Sequence, residues 1–225
     1  MTPQDSLRRL IEGNQRFVSG VRSIEPMFSH LKMAELAEKG QKPFAIVLTC
    51  SDSRSPAEMI FDQGLGDLFV VRVAGNVIAP SLLASIEFAA SNFGSSLILV
   101  MGHTKCGAVH ATLKHAQKPA VELPSVHLES LISNIRPAVE KTLDHRPPNT
   151  SDEQLLELCT EENVRRSQML ILEQSSIIRD LIRRNKIGLE GAVLDIKTGQ
   201  VKILPSKRSM KKDLSFASEL ESAVF

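Results

Sequence analysis

The sequence contains no tryptophan and no tyrosine, and it carries only three cysteines among 225 residues. Without tyrosine there is no phenol to act as a general acid, and without either residue no interfacial aromatic belt of a membrane protein can form. A small, odd number of cysteines in a chain of this length argues against a disulfide framework. Acid–base or nucleophilic chemistry must therefore come from histidine, cysteine, carboxylate, lysine and hydroxyl side chains.

The sequence also lacks an excess of charge of either sign, since it contains 27 Lys and Arg residues and 26 Asp and Glu residues. This balance excludes the basic footprint of a general nucleic-acid binder and of a protein bound to an anionic membrane surface. No apolar run reaches the roughly 18 residues of a transmembrane helix. The N-terminal stretch MTPQDSLRRLIEGNQRF lacks the apolar core of a signal peptide. We therefore expect a cytoplasmic protein with neither nucleic acid nor membrane as partner.

The hydrophobic share of 42% and the charged share of 24% are those of an ordinary globular protein. The length favours one domain over two. We expect a single domain over residues 1–225, in which 1–40 form an N-terminal helical arm and 206–225 form a mobile tail.

Three continuous apolar runs have the length of strands, at residues 43–49, 68–74 and 96–102. Unalternated apolar strands separated by helices indicate a parallel sheet that is covered on both faces. The sequence therefore predicts an α/β fold with a mostly parallel central sheet flanked by helices. The other predicted elements are helices over 2–18, 28–38, 84–94, 106–116, 125–140 and 151–184, the last broken near 159–163, and a hairpin over 189–204.

Potential metal ligands follow two of the three predicted strands. Cys50 comes directly after the first strand, and His103 and Cys106 come directly after the third. Ligands of open α/β sheets bind at the carboxyl ends of the strands. His-x-x-Cys is a chelating spacing, and a distant cysteine would complete a Cys2His zinc site with an open fourth position. Alternatively, Cys50 is a small buried hydrophobe and His103 caps the next helix.

An acid and a guanidinium lie beside the first of these cysteines. Asp52 and Arg54 can form a charge-assisted pair that fixes the carboxylate. A carboxylate fixed there could orient a nucleophile on the metal or take the open metal position itself. The alternative is an Asx-turn formed by Asp52, with Arg54 as a solvated charge.

The two segments together resemble the β-class carbonic anhydrases. The resemblance rests on Cys-Ser-Asp-Ser-Arg at residues 50–54 and His-Thr-Lys-Cys-Gly at 103–107. It extends to Glu-Gly-Asn-Gln-Arg-Phe at 12–17 and to Gly-Asp-Leu-Phe-Val-Val-Arg at 66–72. In all it covers about residues 5–204, and two ordered motifs at separate strand ends make it specific.

The resemblance implies the reversible, zinc-dependent hydration of CO2 to bicarbonate and a proton. Cys50, His103 and Cys106 would bind one Zn2+ per chain. Asp52 would orient the hydroxide on zinc, or replace it as the fourth ligand in a closed state. Arg54 would hold Asp52 off the metal through an ion pair.

The resemblance also implies a substrate pocket, formed by Gln41, Phe69, Ala74 and Phe88. In the family this pocket lies at a dimer interface, so we expect a homodimer or a homotetramer. The chain departs from the common family pattern at Phe88, where tyrosine is more usual, and at Ser55, where an aliphatic residue is frequent.

Two other functions stay open at this point. The same scaffold could hydrolyse carbonyl sulfide or carbon disulfide, which are linear isosteres of CO2. The chain could also be a non-catalytic, zinc-stabilised binding module, although Gln41, Asp52 and Arg54 would then have no purpose. We expect Cys159, on a helical stretch among leucines, to be a spectator.

Overall fold

The computed structural model of the protein describes residues 1–21, 30–118 and 122–205. Within these ranges five strands form one sheet. The strands are β1 (Ala45–Thr49), β2 (Leu68–Arg72), β3 (Leu97–His103), β4 (Gly188–Leu194) and β5 (Val201–Ile203). The α-helices are α1 (Pro3–Ser19), α2 (His30–Lys39), α3 (Ala57–Ile60), α4 (Pro80–Asn92), α5 (Gly107–Gln117), α6 (Val126–Asp144), α7 (Asp152–Gln174) and α8 (Ser176–Arg183).

The sheet has the strand order β2-β1-β3-β4-β5. The pairs β1–β2, β1–β3 and β3–β4 are parallel, and only β4–β5 is antiparallel. Every residue of β1 and of β3 is buried, as expected for central strands covered on both faces. The predicted α/β fold with a mostly parallel sheet is therefore confirmed, and so is the hairpin formed by β4 and β5.

Each face of the sheet has its own apolar layer. On one face, side chains such as Leu48 and Val100 pack with α4, α7 and α8. On the other face, Val47 and Leu99 pack with α1 and α3. A third buried cluster joins α5, α6 and α7 beyond the ends of β1 and β3, and it includes all three cysteines. The candidate ligands thus lie in a packed, buried part of the molecule.

The break predicted near 159–163 is wrong, because α7 runs without interruption from Asp152 to Gln174. Polar Asn163 does not end the helix, since its side chain is buried and donates a hydrogen bond to the carbonyl of Gly75. The chain breaks instead at Ser175, whose hydroxyl caps α8 by accepting a hydrogen bond from the N–H of Ile178.

The N-terminal helix α1 begins with a capping box between Thr2 and Asp5 and packs its Leu10 into the core of this same chain. Helix α2 has no buried residue. The start of the helix predicted over 28–38 and the tail predicted over 206–225 lie outside the described residues. Within the described residues, no helix is long and apolar enough to cross a membrane.

Helix α1 packs closely at Gly13 against the backbone of Phe61, so a larger residue at this position should destabilise the protein. A Cβ at this position would lie 1.8 Å from the carbonyl oxygen of Phe61, which is backbone and cannot move aside. We expect Gly13→Ala to lower the free energy of unfolding by about 2 kcal/mol, because overpacking outweighs the better helix propensity of alanine. Urea denaturation measures the change.

The matched control is Gln15→Ala, an exposed position of the same helix. It should change the unfolding free energy by no more than about 0.5 kcal/mol. A Gly13→Ala protein as stable as this control would show that α1 does not pack against Phe61.

Candidate metal centre

Parallel pairing of β1 and β3 brings the ends of the two strands to the same edge of the sheet. Thr49 lies opposite Met101 in the register of the pair. Cys50 therefore follows β1 at the level where β3 ends in His103. Since the turn after His103 is tight, with Lys105 in the left-handed region at φ 56°, Cys106 also reaches this edge.

The three predicted ligands form one group. The sulfur atoms of Cys50 and Cys106 and a ring nitrogen of His103 all lie within 4.8 Å of one another, and all three residues are buried. Two sulfurs and an imidazole are a ligand set that suits zinc. The alternatives from sequence, a cysteine serving only as core packing and a histidine capping the next helix, do not explain why the three side chains converge.

The ring of His103 is oriented for binding through Nε2. Its Nδ1 lies 2.9 Å from the carbonyl oxygen of Thr104, so that Nδ1 carries the proton and Nε2 keeps its lone pair. The Nε2 atom is buried and has no hydrogen-bond partner among the described residues. An orphaned, buried nitrogen beside two sulfurs is unfavourable unless it binds a further atom, and a metal ion fits that requirement.

The two cysteines share negative charge. The neighbouring Cys106 lowers the pKa of Cys50 against the opposing effect of burial, and His103 and the Gly75 N–H, 3.3 Å from the Cys50 sulfur, lower it further. The same interaction with Cys50, together with burial, raises the pKa of Cys106. Cys106 is also the N-cap residue of α5, where the helix dipole favours a thiolate.

Asp52 and Arg54 form the expected pair beside this group. Arg54 donates from Nε to Oδ1 at 2.9 Å and from Nη2 to Oδ2 at 2.7 Å, and its backbone N–H also reaches Oδ1 at 2.9 Å. These bonds hold the pKa of Asp52 well below its usual range, so the carboxylate is anionic at neutral pH. Asp52 Oδ2 lies 3.9 Å from Nε2 of His103, which places the carboxylate next to the ligand group.

Two side chains that the sequence reasoning missed bind the backbone of the Asp52 segment. Arg72 donates to the carbonyls of Cys50 and Asp52, and the hydroxyl of Ser55 donates to the carbonyl of Asp52. Arg72 carried a usable signal, because it is the last residue of β2 and so lies at the same edge as Cys50. Ser55 carried a weaker signal, as a hydroxyl where the family that the sequence resembles frequently has an aliphatic residue.

The predicted pocket residues do not all lie at this edge. Ala74 is next to Gly75, which contacts Cys50. Gln41 instead precedes β1, so the five residues of that strand, at roughly 3.3 Å each, separate it from the ligand group of its own chain. Phe69 and Phe88 join an aromatic cluster through Phe93, with ring centroids 5.8 and 5.5 Å from it, and Phe88 is 54% exposed.

The third cysteine is not part of the ligand group. Cys159 is buried in the core on α7, and burial raises the pKa of its thiol.

Comparison with known proteins agrees with the geometry. A family model described as Carbonic anhydrase matches residues 45–201. The curated Carbonic anhydrase 2 of Mycobacterium tuberculosis is 37% identical over 198 residues, which are 88% of this chain and 91% of that protein.

Two solved structures are similar over most of the chain. The β-carbonic anhydrase CafA of Aspergillus fumigatus is 26% identical with a TM-score of 0.68, and the match covers 83% of this chain and 88% of that one. The β-carbonic anhydrase CcaA is 28% identical with a TM-score of 0.65, and the match covers 88% of this chain and 95% of that one. The chain therefore belongs to the β-class carbonic anhydrases, and it is an enzyme of the lyase class.

Proposed function

We propose that this protein catalyses the reversible hydration of CO2 to bicarbonate and a proton, with one Zn2+ per chain held by Cys50, His103 and Cys106. The observation that carries the proposal is the convergence of these three buried ligands beside an arginine-paired carboxylate. A purely structural zinc site needs four protein ligands and no such carboxylate. A non-catalytic module is therefore the weaker hypothesis.

Three protein ligands leave a fourth metal position open, which is the pattern of catalytic zinc sites. When bound, zinc acts as a Lewis acid, which lowers the pKa of a coordinated water to about 7 and so provides a nucleophile at neutral pH. The protein itself would present the sulfurs of Cys50 and Cys106, which bind a metal as thiolates, together with Nε2 of His103, whose tautomer Thr104 fixes.

Asp52 orients the nucleophile. Its carboxylate is anionic and adjacent to the ligand group, so it would accept a hydrogen bond from the nucleophile that a bound metal would supply. Arg54 donates a hydrogen bond to each carboxylate oxygen and so keeps Asp52 from becoming the fourth ligand. The pair acts as a positioned acceptor, with Asp52 and Arg54 as the catalytic residues of this chain.

Gln41, Phe69, Ala74 and Phe88 bind the substrate. Apolar rings confine CO2, and the Gln41 amide places it or bicarbonate. Because Gln41 lies beyond the opposite end of β1 from Cys50, we propose that part of each pocket comes from a second copy of the chain, in a homodimer or a homotetramer. Cytoplasmic localisation stays a prediction from the sequence.

The first test is the metal content of cysteine variants. We expect about one zinc per chain in the wild type and in Cys159→Ser, because Cys159 is outside the ligand group. Cys50→Ser and Cys106→Ser should lose most of the metal, since a hydroxyl is a poor zinc ligand. Elemental analysis of protein expressed with added zinc measures this, and metal loss from Cys159→Ser would refute the ligand assignment.

The second test separates the role of Asp52 from metal binding. Asp52→Ala should lower kcat/KM for CO2 hydration by about 100-fold while zinc stays bound, because only the hydrogen-bond acceptor is removed. The matched control is Asp180→Ala, which removes another arginine-paired aspartate on a remote helix and should keep full activity.

Stopped-flow assays with CO2 and, in parallel, carbonyl sulfide measure these rates. Full CO2 activity in Asp52→Ala would remove the role given to the carboxylate. A zinc-loaded wild type that hydrolyses carbonyl sulfide and does not hydrate CO2 would favour the alternative function on the same site.

A further inference from the structure

The Asp52–Arg54 pair lies entirely within one short loop between β1 and α3. The two residues are separated by one residue in sequence, and Arg54 donates three hydrogen bonds to the Asp52 carboxylate. Among the described residues, the one hydrogen bond of Arg54 that leaves the loop goes to the carbonyl of Lys105 and is long at 3.5 Å. The pair therefore fixes the carboxylate relative to the loop, and something else must fix the loop relative to the metal ligands.

Arg72 provides that connection from the neighbouring strand. It is the last residue of β2, and it donates from Nε to the carbonyl of Cys50 at 3.2 Å and from Nη2 to the carbonyl of Asp52 at 2.7 Å. Among the described residues it forms no ion pair with a carboxylate. A planar guanidinium with several donors in a fixed geometry can span two carbonyls, one on a metal ligand and one on the catalytic aspartate.

Ser55 completes the same anchor from inside the loop. The residue is fully buried, and both its N–H and its hydroxyl lie 3.0 Å from the Asp52 carbonyl oxygen. With Arg72, three donors converge on this one oxygen. A carbonyl bound in this way cannot rotate without breaking several bonds, so the peptide of Asp52 has one orientation.

We propose that Arg72 and Ser55 are positioning residues, which set the distance of the Asp52 carboxylate from the metal ligands by anchoring the Asp52 carbonyl to the sheet. The proposal rests on the proposed function, in which Asp52 orients the nucleophile. The hydrogen bonds of both side chains that carry the proposal go to backbone carbonyls and not to the ligand atoms of Cys50, His103 or Cys106. Loss of either one lets the Asp52–Arg54 pair shift as a unit, and a shift of about 1 Å can lower a rate by as much as 100-fold.

The test compares Arg72→Ala and Ser55→Ala with Arg179→Ala. Arg179 is a matched control, because it is an exposed arginine that donates two hydrogen bonds to backbone carbonyls far from the site, those of Leu172 and Glu173. We expect kcat/KM per bound zinc to fall at least tenfold in Arg72→Ala and Ser55→Ala and to stay unchanged in Arg179→Ala. Arg72→Lys should recover only part of the loss, since one ammonium cannot span both carbonyls.

A second measurement does not depend on turnover. Each protein is loaded with Co2+, because zinc is d10 and gives no visible spectrum. The visible bands of cobalt should shift in Arg72→Ala and Ser55→Ala, as Asp52 moves relative to the ligand group, and should match the wild type in Arg179→Ala. A residue that only stabilises the fold would lower the unfolding midpoint and leave these bands unchanged.

Wild-type rates per metal and wild-type cobalt bands in both variants would overturn the proposal. If Arg72→Ala does not fold, Ser55→Ala still decides, because it removes a donor to the same carbonyl. Should the zinc-loaded wild type fail to hydrate CO2, the proposed function fails. The cobalt bands then test the anchor alone.

Discussion

The parallel register of β1 and β3 is the constraint on which the candidate site depends. With Thr49 opposite Met101, Cys50 comes level with Gly102, one residue before His103, the last residue of β3. A slip of one residue would turn the alternating side chains of one strand to the other face of the sheet, and Cys50 would no longer meet His103. The register is itself held by the apolar side chains of both strands, which are buried on both faces. The core of the protein thus determines the geometry of its metal ligands.

The second constraint on the site is the balance between its negative groups and the positive charge around them. Two cysteines that must become thiolates and an anionic Asp52 lie close to one another in a mostly buried region. Such a cluster is unfavourable unless positive charge compensates it. Arg54 compensates the carboxylate, the N-terminus of α5 and the Gly75 N–H partly compensate the sulfurs, and a divalent ion would compensate the rest. The polar neighbours of the site are therefore part of its stability as well as of its chemistry.

Much of this arrangement could be predicted from the sequence, because it depends on strands with a strong signal. The apolar runs ending at Thr49 and near His103 located two buried parallel strands, and strand ends meet at one edge. The break wrongly placed near Asn163 shows the limit, since a polar residue in a helix can be satisfied by a distant backbone carbonyl. No periodicity reports such a contact. The anchoring roles of Ser55 and Arg72 escaped for the same reason, as both depend on hydrogen bonds to backbone carbonyls.

X-ray absorption at the zinc edge of the purified, zinc-loaded protein measures the ligand set of the metal most directly. We expect two sulfur atoms at about 2.3 Å and two nitrogen or oxygen atoms at about 2.0–2.1 Å, from Cys50, Cys106, His103 and one further ligand. The imidazole should be visible in the outer shells, and Cys159→Ser should give the same spectrum. A first shell with no sulfur, or with three or four sulfur atoms, would contradict the assignment of this site.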